Sequence, residues 1–201
     1  MASRPARRIA GFVLRFAVAY GLLILAWPLL GPLYRPVYCT LGNALFQGGA
    51  GSVSFRAKDT SEALDVEVVM RKRDAPGVTG RAENDSRMMG YLPTVTLVAL
   101  VLATPIPWKR RRRALWVGLA LVTAFVALRM AIPLIRDYSN PDALQIYELG
   151  PFARWLLGIA DRSLLGAPAS FFVVPILIWV LVAFRRQDWE ILDEGAPAPP
   201  K

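Results

Sequence analysis

Histidine is absent from these 201 residues, and cysteine occurs once. Without histidine the chain lacks the commonest general base, metal ligand and pH switch. With Cys39 alone there is no internal disulfide, no C-x-x-C redox pair and no thiolate metal cluster. No glycine-rich phosphate loop is present. The four long apolar blocks contain no Asp or Glu, which excludes an intramembrane pair of aspartates. A Ser/Lys dyad could draw only on Lys58 or Lys72 and nearby serines, on a short hairpin without a water-excluding pocket. The expectation is a chain with no catalytic residues, no cofactor and no metal.

What the sequence has in abundance is apolar residues, 55% against 19% charged, gathered into long runs. The first block, 9–33, can cross a hydrocarbon core of about 30 Å at about 1.5 Å per residue. It exceeds the h-region of a cleavable signal peptide, and no clear A-x-A site follows, so we read it as a retained anchor. Tyr38 stands where a lipoprotein signal would need a small residue before Cys39. Three further blocks follow at 88–108, 114–135 and 164–184. The reading is a mainly α, polytopic membrane protein with about four transmembrane helices.

Charge sets the orientation. Arg4, Arg7 and Arg8, then Lys109, Arg110, Arg111, Arg112 and Arg113, then Arg185 and Arg186 fall on one side of four crossings. Residues 34–87 mix eight basic with seven acidic residues, and 136–163 mix three with four. The excess of Lys and Arg marks the cytoplasmic side. Both termini, 1–8 and 185–201, and the basic turn 109–113 are therefore expected inside, and 34–87 and 136–163 outside. Trp108 and Trp116 are interfacial aromatics in this scheme. A five-residue turn offers no folded recognition surface, so nucleic acid is not an expected partner. Anionic lipid or a cytoplasmic partner suits the charge better.

Within 34–87, Val53, Phe55 and Ala57 alternate with polar residues, as do Leu64, Val66, Val68 and Met70, with "DTSE" between them as a turn. This predicts an extracytoplasmic β-hairpin, and 75–85 has room for a short third strand. A lone hairpin is marginal in water, so its apolar face needs a cover. That cover is either the chain's own helices or a partner, with Phe55 and Val66 as the contact residues. Residues 142–165 show helical spacing around a Gly-Pro break and read as amphipathic helix in the outer interface. The Pro-rich "EGAPAPP" reads as a disordered tail. Arg129 lies in the third block, about 10 Å inside Arg136 by helical rise. Two readings stand for it: a side chain snorkelling to the outer interface, or a site for a carboxylate or lipid phosphate.

The order of anchor, strand segment, "RAENDSRMMGYLPTVTLVALVLATP", basic run and two further helices resembles the exosortase H-associated membrane protein family. Gly90, Tyr91, Leu92 and Pro93 open the second helix, and Ala103 and Pro105 close it. The stretch "ATPIPWKRRRRALWVGLALVTAFVALR" also resembles the helix, basic turn and arginine-bearing helix of exosortases. Those enzymes use a Cys, Arg and His set, of which only Arg129 matches. Cys39 lies outside the nucleophile's position, and there is no histidine. The resemblance implies a noncatalytic accessory of an exosortase-like sorting system in the bacterial inner membrane, with the enzyme or its substrate as partner. Two alternatives stand beside it: a divergent transpeptidase or peptidase using Cys39 and Arg129, and a small transporter subunit, for which an intramembrane polar path is missing.

Overall fold

The computed structural model describes residues 4–48, 51–58, 64–72, 77–140, 148–167 and 169–183. These residues are mainly helical, with six α-helices, two π-helical turns and one three-stranded antiparallel sheet. The "DTSE" turn, residues 141–147, and the tail from 184 onward, with Arg185, Arg186 and "EGAPAPP", lie outside the described residues.

Helix α1 (Arg4–Leu25) is followed by α2 (Trp27–Phe46), and the axes bend by 72° at Ala26. Pro28 explains the break, because it has no N–H to donate to the Ile24 carbonyl, and the Leu29 and Leu30 N–H groups bond back to Ala26 to start a new helix. The single straight span expected over 9–33 is thus interrupted. Residues 34–46, expected to open a loop-and-hairpin segment, continue as helix instead.

Strands β1 (Gly51–Ala57), β2 (Val66–Lys72) and β3 (Thr79–Asn84) pair in sequence order. Their register aligns Phe55 with Val68 and Val68 with Ala82. Alternation puts Val53, Phe55, Val66, Val68 and Met70 on one buried face. That face packs on Tyr38 and Cys39 of α2 and on Val126, Met130, Leu134 and Tyr138 of the following long helix. The third strand gives the hairpin its missing partner. Leu64, expected on the apolar face, precedes β2 and is 41% exposed, while its neighbour Asp65 turns inward. Gly42 allows the approach of α2 to the sheet, since a Cβ there would lie 2.7 Å from the Phe55 ring. Asn43 closes the edge of β1: its Oδ1 accepts from the Phe55 N–H at 2.8 Å and its Nδ2 donates to the Phe55 carbonyl at 3.1 Å. A side-chain amide here imitates the neighbouring strand that β1 lacks.

A π-helical turn (Arg87–Tyr91) leads into α3 (Leu92–Ala103), and α1, α4 (Trp108–Ser139) and α6 (Ser170–Ala183) pack against α3. Leu97, Val101, Val122, Phe125 and Ile178 form the core between α3, α4 and α6. At 32 residues, α4 is the one helix among the described residues that is long and apolar enough to cross a membrane alone. The basic run is not the turn between helices: Lys109 to Arg113 lie inside the first turns of α4, and the connection is 104–107. Pro105 and Pro107 cannot sit in a helix interior, whereas Lys and Arg are good helix formers. Between α4 and α6 lies α5 (Pro151–Ala160), continued by a π-helical turn (Asp161–Leu165). Ile9, Val13, Val18 and Leu22 of α1, Leu121 and Leu128 of α4, and Val173, Leu177 and Leu181 of α6 point outward, so the bundle is apolar on its surface as well as inside.

Candidate functional site

Arg129 is 2% exposed and sits where the sheet meets the bundle. It lies about 31 Å along α4 from Trp108, close to the thickness of a hydrocarbon core. Its Nη1 donates to the Met88 carbonyl at 3.1 Å and to the Met89 carbonyl at 3.2 Å. These are the carbonyls five and four residues before Pro93, which a π- or α-helical N–H at position 93 would serve. Pro93 has no such donor. The turn is in π register, with Leu92 N–H bonding Arg87 O, and Arg129 supplies what Pro93 withholds. The guanidinium carbon lies 4.3 Å from the Phe171 ring centroid and 5.8 Å from that of Phe125, so a buried charge without a carboxylate partner among the described residues is held by carbonyl dipoles and an aromatic face. The snorkelling reading is corrected: the head group reaches backbone, not water.

A second polar node joins the sheet to the same turn. Asp65, 3% exposed, accepts from Arg35 Nε at 2.9 Å and from the Ser86 N–H and hydroxyl, both at 2.8 Å. Charge-assisted bonds of this kind satisfy a carboxylate that burial would otherwise penalise. Asp85 accepts from the Arg87 N–H at 2.8 Å and the Met88 N–H at 3.0 Å, and burial pushes its carboxyl up from the usual range despite these bonds. Trp27, Tyr34 and Tyr91 cluster with Arg87 over the Trp27 ring, and the Tyr91 hydroxyl donates to the Leu23 carbonyl at 2.6 Å, one of those left open where α1 ends. Asp65, Ser86, Arg35 and Asn43 escaped the sequence reading. Their partners lie 12 to 30 residues away, and no local pattern marks them.

At the other end of the bundle the basic run has an internal task. Arg111 Nη2 donates to the Thr104 carbonyl at 3.0 Å, and Arg110 Nη2 to the Ala183 carbonyl at 2.8 Å. Thr104 caps α3, where carbonyls lack helical partners, and Ala183 is the last described residue of α6. Thr104 also receives the Trp179 indole N–H at 2.8 Å. Five cations at the N-terminus of α4 oppose its dipole, so the run does not serve the helix that carries it. Lys109, Arg112 and Arg113 remain exposed.

Phe55 and Val66, the sequence-predicted contact residues, are 3% and 0% exposed and are covered by α2 and α4. Side chains so placed cannot meet a partner while the fold is closed, and their reading as contacts is corrected on that ground. Cys39 is buried in the same core. Among the described residues no group of three or more Cys, Asp or Glu could hold a metal ion. The site therefore comprises Arg129, the π-helical turn and the Asp65 node: a hydrogen-bonded joint between sheet and helices. No protein-family model matches the sequence, and no curated protein or solved structure matches it.

Proposed function

We propose that the chain is a noncatalytic integral-membrane scaffold, an accessory of an exosortase-like protein-sorting system in the bacterial inner membrane. In this reading α1, α3 with its π-helical turn, α4 and α6 are the four crossings, and both termini are cytoplasmic. Helix α2 lies along the outer surface beneath the sheet, and α5 lies in the outer interface. The observation that carries it is the closure of the sheet by α2 and α4, reinforced by Arg129 and Asp65. A small sheet held this tightly to a lipid-facing bundle is suited to present its outer, polar face, with Arg56, Glu67 and Arg81, at a fixed height above the bilayer. The outward apolar residues of α1, α4 and α6, and the stripe Leu29, Leu33 and Val37 on α2, support the membrane setting. The resemblance of 81–105 to the exosortase-associated family supports the sorting role.

Two experiments test this. In a Cys39→Ala background, an impermeant thiol reagent applied to intact cells should label Thr79→Cys and leave Arg112→Cys untouched; the reverse pattern overturns the topology. In a host with an exosortase-type enzyme and a tagged substrate, deleting this chain should impair sorting, and the Cys39→Ala form should restore it fully. A photo-crosslinker at Arg81 should then capture enzyme or substrate. Failure of Cys39→Ala at normal abundance revives the enzyme reading, and sorting that is indifferent to the deletion removes the accessory role.

A further inference from the structure

Helix α5 buries none of its residues. Phe152 (73% exposed), Trp155, Leu156 and Ile159 recur at three- and four-residue spacing and form one bare apolar face. Along the border of that face run Pro151, Arg154, Gly158 and Arg162, again three or four residues apart, so they share one stripe. They line a groove of about 400 Å³ with Trp155 and Ile159. Gly158 is its floor, since a Cβ there would meet nothing within 4 Å. Arg154 and Arg162 flank it, about 12 Å apart by helical rise.

The charges around the groove are unevenly balanced. Arg136 in the adjoining groove is paired with Asp161 at 3.2 Å. Arg154 donates Nη2 to the Leu149 carbonyl at 3.3 Å, and neither it nor Arg162 meets a carboxylate among the described residues. Two arginine forks with free donors, set at the edge of an apolar face, match an anion that sits at the boundary between acyl chains and water. Guanidinium groups bind phosphate oxygens in pairs of parallel hydrogen bonds.

We infer that this groove is a binding site for the phosphate headgroup of an anionic phospholipid, with Arg154 and Arg162 as ligands and Trp155 and Ile159 against the first acyl carbons. The site rests on the membrane reading proposed above. Its role is to fix α5, which has little protein contact of its own, at the level of the headgroups.

The test uses the full chain incorporated into phosphatidylcholine nanodiscs, with and without phosphatidylglycerol, followed by native mass spectrometry of retained lipid. Incorporation itself examines the membrane reading, so the two can fail separately. The parent should retain phosphatidylglycerol over phosphatidylcholine, and Arg154→Gln with Arg162→Gln should weaken one such site by roughly 30-fold, at about fivefold per surface arginine. Arg81→Gln on the sheet should leave retention as in the parent, and inorganic phosphate should not displace the lipid. Equal phosphatidylglycerol retention by the double variant, with incorporation and melting temperature unchanged, overturns the site. Displacement by millimolar inorganic phosphate overturns the lipid as its ligand.

Discussion

Helices α2 and α5 both turn away from a neighbouring apolar helix, the axes bending by 72° at Ala26 and by 90° ahead of α6, yet they are built on different terms. Helix α2 has one covered face and one bare one: Tyr38, Cys39 and Gly42 lie under the sheet, while Leu29, Leu33 and Val37 are exposed. Helix α5 has one bare apolar face and no buried residue. The difference teaches that an amphipathic pattern says where apolar side chains gather, not what covers them. In α2 the cover is three strands of the same chain. In α5 nothing in the described chain supplies it, and the lipid site inferred above is the cover we propose.

If that contrast is right, substitutions under the sheet should cost folding and those on α5 should not. The largest effect is expected at Phe55, which fills the space that Gly42 leaves. Phe55→Ala should lower stability by about 3–5 kcal/mol, read as lost abundance and an earlier thermal transition in detergent. Normal abundance of this variant would mean the sheet face is covered by something other than α2 and α4.

Arg129 gives the next effect and a sharper one. Arg129→Ala leaves the Met88 and Met89 carbonyls without their donor and should cost about 3 kcal/mol. Arg129→Lys keeps the charge but not the planar contact with Phe171, and should fall between. Pro93→Ala restores an N–H to the turn, so Arg129→Ala should cost measurably less in that background. Additive losses in the double-mutant cycle would show that Arg129 does not stand in for the donor that proline lacks.

Asn43→Ala removes the amide that closes β1 and should cost about 1 kcal/mol, with faster hydrogen exchange at the Phe55 amide as its local signature. Asp85→Asn should be smaller still, within about 0.5 kcal/mol, because it keeps the Oδ1 acceptor and removes a charge that burial disfavours. A carboxyl whose pKa is raised on folding favours the fold at low pH and loses that contribution as pH rises through its folded value. The Asn variant should therefore lose stability less over that window. On α5, Trp155→Ala should change the melting temperature in detergent hardly at all, and a large loss there would erase the contrast with α2.

The strands were legible because alternation of Val53, Phe55, Val66, Val68 and Met70 is a local property with a period of two. The helical blocks were legible because apolar runs and prolines act within a few residues. Where the reading slipped, a neighbour in space outweighed local pattern: Leu64 yielded its place to Asp65 because Arg35 and Ser86 wait for the carboxylate. The basic run looked like a loop because charge was weighed above helix propensity, and the two prolines before it decided otherwise.

The sequence by itself settled that this chain has no histidine, is mainly helical and places a small β-segment between two helices. Only the tertiary structure decided that the segment has three strands closed by α2 and α4, and that Arg129 answers the missing donor of Pro93 from another helix. The physical reason is range. Propensity and periodicity are written in neighbouring residues, whereas the pairing of a buried guanidinium with carbonyls 40 and 41 positions away exists only after packing has brought them within 3.2 Å.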